Sequence, residues 1–326
     1  MSFVPSRVLV TGATGFVGRH LLLALRAAFP AAELVPAART AEPAGGGAEA
    51  VRAFDLMDAD GMAALVAEVR PDACVHLAAA SAVAESFADP DGAWRANVDG
   101  ARALAAALMR HAPECRLLHA SSGEVYGLSF NNGAPLEESA PLRPANPYAA
   151  AKAAADLALG EMALRGLRVL RLRPLNHVGP GQSPRFAVAA FARQIARIEA
   201  GAQPPVVRAG ALDRRRDFLD VRDVCDAYVA ALERADSLPA GTVLNIASGR
   251  PRLLSDVLAD MLRLAGADAR VEQEAAALRP TDLLCTTCSA AAVRDALGWS
   301  PRIAWKDTLA AVLEDWRAAV ARTPEA

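Results

Sequence analysis

Net charge is almost absent from this chain: 35 lysines and arginines stand against 37 aspartates and glutamates, a formal balance of -2. So neutral a chain has no field that would draw it to nucleic acid or to an anionic membrane surface, and neither is expected as a partner. Long apolar runs are missing too, and the opening Met1 to Arg7 lacks the charged-then-apolar pattern of an export signal. A cytoplasmic protein is therefore expected. The five cysteines are odd in number and scattered, and Cys74, Cys115 and Cys225 fall in apolar elements as small buried hydrophobes would. Cys285-Thr286-Thr287-Cys288 has the spacing of half a zinc site but no second pair, so no metal is expected. No internal repeat is present.

What remains is a rhythm of strands and helices in 326 residues, enough for one extended domain or two. Arg7 to Val10 reads as a strand, Phe16 to Phe29 as a helix ended by Pro30, and Leu34 to Ala38, Val51 to Asp55 and Cys74 to Leu77 as further strands. Helical patterns follow at Asp58 to Val69 and Ala93 to His111, a strand at Arg116 to Ala120, a helix at Tyr148 to Arg165 and a strand at Val169 to Leu172. This alternation predicts an α/β fold with a doubly wound parallel sheet. After Pro174 the pattern changes, with five prolines and glycines in close punctuation and arginines around Arg208 and Arg214 to Arg216. The segments 1–175 and 217–248 are expected to form the nucleotide domain, and 176–216 and 249–326 a smaller substrate-binding one. Gly45 to Gly47 lies in a connection expected to be a flexible loop.

Gly12, Gly15 and Gly18 are spaced three apart between the first strand and the first helix. In that place the first glycine permits a tight turn, the second admits a pyrophosphate to the backbone, and the third lets helix and strand pack closely. An acidic residue at the end of the second strand would take a ribose 2′-hydroxyl, whereas this chain has Pro36-Ala37-Ala38-Arg39-Thr40. Arg39 therefore points to NADP, with NAD as the alternative. Asp55 is a candidate acceptor for the adenine amino group.

Tyr148 and Lys152, four apart, share one helix face, where an ammonium can lower a phenol's pKa from about 10 toward working pH and make it a proton relay. Ser122 is placed to bring its hydroxyl beside that phenol. Glu124 is a possible second acid/base group, which would permit elimination as well as hydride transfer. Arg208, Arg216 and Arg279 are of the type that binds a diphosphate bidentately.

These pieces together resemble the extended short-chain dehydrogenase/reductase family over essentially the whole chain. The resemblance rests on Thr11 to Gly18, His76-Leu77-Ala78-Ala79, Asn97 to Gly100, Ser121 to Gly127, Asn146 to Lys152 and Arg173 to Asn176. Arg173 to Pro184, Phe191 to Ile195 and Arg215 to Asp223 further look like those of GDP-4-keto-6-deoxy-mannose reductases. The resemblance implies NAD(P)H-dependent reduction of the 4-keto group of a GDP-linked sugar to GDP-D-rhamnose. In it Ser122, Tyr148, Lys152 and Glu124 are catalytic, and Gly12, Thr14, Gly15, Phe16, Val17, Gly18, Arg39, Asp55, Leu56, Leu77, Ala78, Ala79 and Asn97 hold the cofactor with Tyr148 and Lys152. Asn176, Arg208, Arg216 and Arg279 would bind the nucleotide, Asn97 would brace the active-site helix through a water, and two helices would form a homodimer. A GDP-mannose 4,6-dehydratase, another nucleotide-sugar epimerase or reductase, and a non-catalytic NADP-binding sensor are the alternatives, the dehydratase being kept open by Glu124.

Overall fold

The computed structural model describes residues 2–39, 50–273 and 283–322. In chain order the strands and helices are β1 (Arg7–Thr11), α1 (Phe16–Ala28), β2 (Glu33–Ala38), β3 (Arg52–Ala53), α2 (Ala59–Val69), β4 (Ala73–His76), α3 (Val83–Ala88), α4 (Pro90–Trp94), α5 (Gly100–His111), β5 (Arg116–Ala120) and α6 (Pro147–Leu164). They continue with β6 (Val169–Pro174), β7 (Asn176–Val178), α7 (Ala187–Glu199), β8 (Val206–Ala209), β9 (Arg215–Asp220), α8 (Val221–Glu233), β10 (Val243–Ile246), β11 (Pro251–Leu253), α9 (Leu254–Ala265), β12 (Arg270–Gln273), β13 (Cys285–Thr286), α10 (Ala291–Leu297) and α11 (Trp305–Arg322).

Seven strands form one parallel sheet in the order β10-β6-β5-β4-β1-β2-β3. Both faces are covered, and the residues show why. Along β1, Val8 and Val10 enter the apolar cluster shared with α1 and α8, while Leu9 between them enters the opposite cluster with α2, α5 and α6. Period-two alternation thus sends apolar side chains to both faces, which reads in sequence as the continuous apolar run of a doubly covered strand. Each fully buried leucine or valine contributes roughly 1.5–3 kcal/mol, so the two helical layers anchor the sheet more firmly than propensity could. This is the doubly wound architecture expected. Strand order reverses at β1, which lies between β2 and β4, and it is beyond the strand ends at such a reversal that doubly wound sheets form their binding crevice.

Two expected elements differ. The third strand shrinks to Arg52–Ala53, because Asp55 turns back to accept the Met57 N–H at 2.9 Å and ends the pairing. The expected helix from Ala93 to His111 is instead α4, one π-helical turn at Arg95–Asp99, and α5. The widened turn holds Asn97, and widened turns of this kind recur where a side chain must be re-aimed.

Beyond β6 the chain leaves the large sheet. β7 pairs with β9, Asn176 opposite Phe218, in a second, four-stranded sheet with β11 and β13, while β8 and β12 pair separately. Phe191, Ile195, Met261 and Val312 from α7, α9 and α11 form this portion's core. β9 then runs straight into α8, whose Val221, Val224 and Tyr228 return to the large sheet's core. Asn176 therefore stands where the two sheets meet.

Candidate active site

The glycine loop is shaped by close approach. A Cβ on Gly12, whose φ is 71°, would lie 2.7 Å from the backbone nitrogen of Ala78 at the exit of β4, and one on Gly18 would lie 2.4 Å from the Gly12 carbonyl oxygen. Neither space admits a side chain. Gly15 caps α1 with no side-chain hydrogen bond and no acidic residue follows in the first turn, so the helix's first N–H groups keep their capacity for an anion. Phe16 stacks on His177 of β7 with ring centroids 6.1 Å apart, and His20 Nε2 meets the Pro180 carbonyl oxygen at 2.9 Å, which closes one side of the crevice. The loop fits the pyrophosphate of a dinucleotide.

Around that cradle stand the other expected cofactor residues. Leu77, Ala78 and Ala79 follow β4, and Thr11 Oγ1 joins His76 Nδ1 at 2.7 Å across the switch point. Arg39 is exposed immediately after β2. Leu56 packs on Gly100 at the start of α5, and Asp55 is exposed, with one oxygen engaged by Met57. Asn97 is buried, and its amide clasps the backbone of Ala80, accepting at 2.9 Å and donating at 3.1 Å. Its direct partner is the loop after β4.

α6 carries Tyr148 and Lys152. Asn146 caps it by accepting the Ala149 N–H at 2.8 Å, and Pro147 occupies the first turn, where its missing donor is harmless. Ser86 of α3 accepts the Tyr148 N–H at 3.1 Å, which fixes the start of the helix against the loop after β4. Ser122, just beyond β5, accepts the Glu124 N–H at 3.1 Å and lies close enough to the Tyr148 phenol to favour its ionised form. Glu124 lies close enough to act on that phenol electrostatically, and its Oε2 accepts from Asn146 Nδ2 at 3.4 Å.

The expected lowering of the tyrosine pKa is corrected by the structure. Burial pushes the Tyr148 phenol up to about 12, Glu124 adds to the rise, and Ser122 offsets only part of it. Lys152 is instead the perturbed member of the pair: burial lowers its ammonium to about 8 against the favourable pull of Asp156. Its Nζ donates to the Ala120 carbonyl oxygen at the end of β5. His76, held down to about 3 by burial and the Lys152 charge, and His119, also lowered by burial first, are both neutral neighbours. The rise at Tyr148 favours the protonated phenol.

The nucleotide-binding candidates are spread more widely. Asn176 is exposed beside Phe218, and Arg216, two residues along the same strand and so about 7 Å away on the same face, donates to the Leu283 carbonyl oxygen at 2.8 Å. Arg208 sits on the separate β8–β12 pair, 66% exposed and 3.9 Å from Glu272. Arg279 and Gly45 to Gly47 lie outside the described residues. Cys288 is buried among Tyr126, Phe130 and Leu283, and no group of three metal-ligating side chains occurs among the described residues. No helix among them is long and apolar enough to cross a membrane.

Residues 8–247 match the model of the NAD dependent epimerase/dehydratase family. The chain belongs to that family. It is 36% identical over 318 residues to the GDP-6-deoxy-D-mannose reductase of Pseudomonas aeruginosa, covering 97% of this chain and 99% of that one. It is 33% identical over 305 residues to a dTDP-glucose 4,6-dehydratase of Mycolicibacterium smegmatis, covering 91% and 88%. The solved structure of RMD from Pseudomonas aeruginosa complexed with NADPH superposes with a TM-score of 0.85 at 35% identity, covering 97% of this chain and 100% of that one.

Sequence reasoning passed over Asp156, which lies one helical turn beyond Lys152 on the same face, and over the imidazole pair His76 and His119, whose rings are 5.5 Å apart in register across β4 and β5. Extending the Tyr148–Lys152 spacing by four more residues would have found the first.

Because burial depresses Lys152, its ammonium costs the fold on the order of 3 kcal/mol at neutral pH. The native state binds that proton less readily than the unfolded chain, so the penalty is full below about pH 8 and fades as pH rises to the unfolded value of 10.5. Lys152→Met should therefore raise stability at pH 7, by roughly 1–3 kcal/mol after loss of the Ala120 hydrogen bond, with the gain shrinking above pH 8. Urea denaturation of both proteins at pH 7 and pH 10 checks this; a destabilised variant at pH 7 would refute the strained-ammonium description.

Proposed function

We propose that this protein reduces the 4-keto group of a GDP-4-keto-6-deoxy-mannose-type nucleotide sugar with NADPH, giving GDP-D-rhamnose. The observation that carries the reading is the full-length match to GDP-6-deoxy-D-mannose reductase, at 36% identity, on a chain whose site offers a protonated phenol. NADPH, when bound, supplies the hydride. The Gly12 to Gly18 loop and the uncapped start of α1 would hold its pyrophosphate, with Leu77, Ala78 and Ala79 beneath, Asp55 and Leu56 toward the adenine, and Arg39 toward the 2′-phosphate. Tyr148 donates its proton to the keto oxygen, Ser122 shares that oxygen, and Lys152 offers its ammonium to the cofactor ribose. Asn176 and Arg216 would take the diphosphate side of the substrate, with Arg208 and Arg279 farther out. We further infer that 176–216 and 249–326 act as the substrate portion against 1–175 and 217–248, with β9 of the second sheet spanning the boundary at 216/217. The five cysteines, free thiols in the structure, suit the reducing cytoplasm.

Reduction needs an acid at the oxygen, whereas elimination across C5 and C6 also needs a base for the C5 proton, and Glu124 beside Tyr148 is the observation that favours this second reading. Incubation with the 4-keto-6-deoxy sugar nucleotide should consume NADPH stoichiometrically, and Tyr148→Phe should cut that rate by about 10²- to 10⁴-fold. Conversion of GDP-mannose with NADP and no net cofactor turnover would replace the reductase with the dehydratase.

Arg39→Asp substitutes a repelling carboxylate for a phosphate partner, so the kcat/KM ratio for NADPH over NADH should fall by at least about tenfold. An unchanged ratio would place Arg39 outside the site.

A homodimer is also proposed. α6 leaves Leu157 60% and Leu164 89% exposed, seven residues apart and so on one face, while its opposite face is buried against the sheet. Light scattering at micromolar concentration should give twice the 34.0 kDa chain mass, and a monomer there would defeat the proposal.

A further inference from the structure

Asp156 takes no part in the chemistry above, yet it is fully buried on the face of α6 that carries Tyr148 and Lys152. Its Oδ2 accepts from the Ser121 hydroxyl at 2.6 Å and from Arg173 Nε at 3.0 Å; its Oδ1 accepts from Arg173 Nη2 at 2.9 Å and from Arg171 Nη1 at 3.0 Å. Arg173 continues to the Tyr126 hydroxyl at 2.9 Å, which donates to Asn245 Oδ1 at 2.7 Å. One carboxylate thereby joins the end of β5, directly beside Ser122, to α6, β6 and, through Arg173 and Tyr126, β10.

We propose that Asp156 is a positioning residue of the active site, whose carboxylate supplies the negative potential beneath the Lys152 ammonium and locks Ser121, and with it Ser122, to the same helix. The proposal rests on Ser122, Tyr148 and Lys152 being the reductive site. Lys152 is faced by His76 from β4 and His119 from β5, both neutral, and by Asp156 on its own helix, whose carboxylate also takes Arg171 and Arg173 from β6. Asp156 is the group that favours the protonated ammonium; burial works against it. Asp156 itself stays ionised: burial would push its carboxyl up, but the hydrogen bonds and charges of Arg173, with Ser121 and Arg171, hold it below the ordinary value.

In the wild type, NADPH affinity should hold to about pH 8 and weaken above it as Lys152 loses its proton. Asp156→Asn removes the group that retains the proton, so the weakening should begin about one pH unit lower. NADPH fluorescence titrations from pH 6 to pH 10 read this without any sugar substrate, so a protein that fails as a reductase still answers the question. Because Asp156→Asn strands two guanidiniums and can fail to fold, Asp156→Asn/Arg173→Gln provides a second neutral variant. Asp156→Glu should restore the wild-type limb, and Ser121→Ala should leave the limb in place while lowering kcat severalfold through Ser122. A limb unmoved within about 0.3 units in a folded neutral variant, or failure of both neutral variants to fold, assigns Asp156 a purely structural role and overturns the proposal.

Discussion

Lys152 brings a positive charge into a region where solvent cannot screen it, and much of the surrounding structure answers to that charge. The chain has 35 basic residues, of which only Lys152 and Lys306 are lysines, so an ammonium at this place is not a product of composition. An arginine could not do the same work. A guanidinium stays charged under any burial, whereas an ammonium near pKa 8 can give up a proton when a neighbouring oxygen needs one. The backbone carbonyl of Ala120, the carboxylate of Asp156 and two imidazoles that remain neutral are the polar surroundings in which that poise is kept. On the proposed reading the placement trades stability for function, as buried charges at reacting centres commonly do.

The same burial decides what Tyr148 can be. A phenol at about 12 is a poor base and a dependable acid, which suits a ketone that must gain a proton as it gains a hydride. Glu124 adds a negative neighbour that favours the protonated phenol further.

Much of the fold was legible because its signals are local. The apolar run Arg7 to Val10, three glycines and the helical spacing after Phe16 place strand, turn and helix within a span where few alternatives compete, and the Tyr148–Lys152 spacing needs only helix geometry. Other features were not legible for equally physical reasons. Asp55 looked like the end of a strand because its apolar neighbours suggest pairing, but its side chain offers the backbone a turn, and that competition is settled only by what lies alongside. The π-helical turn at Arg95–Asp99 leaves no mark in composition, since one extra residue in a turn changes neither propensity nor period appreciably. The pKa of Tyr148 was misjudged because spacing along a helix gives the neighbour and not the depth of burial, and here burial outweighs every charge nearby.

Asn176 shows how a second portion can be added to such a sheet without disturbing its chemistry. β6 ends in Pro174, which has no N–H to continue a ladder, and two residues later the chain already pairs with β9 in another sheet. The switch occurs within a few ångströms of the Ser122 strand end, because β5 and β6 are adjacent and in register, Ala120 beside Leu172. Asn176 therefore stands, exposed, where β6 of the first sheet passes into β7 of the second, and Arg216 lies two residues along β9, at about 3.3 Å per residue, from the Phe218 that it pairs with. The second sheet can thus vary along β9 and its neighbours without moving Ser122, Tyr148 or Lys152, which stand on β5 and α6 of the first portion.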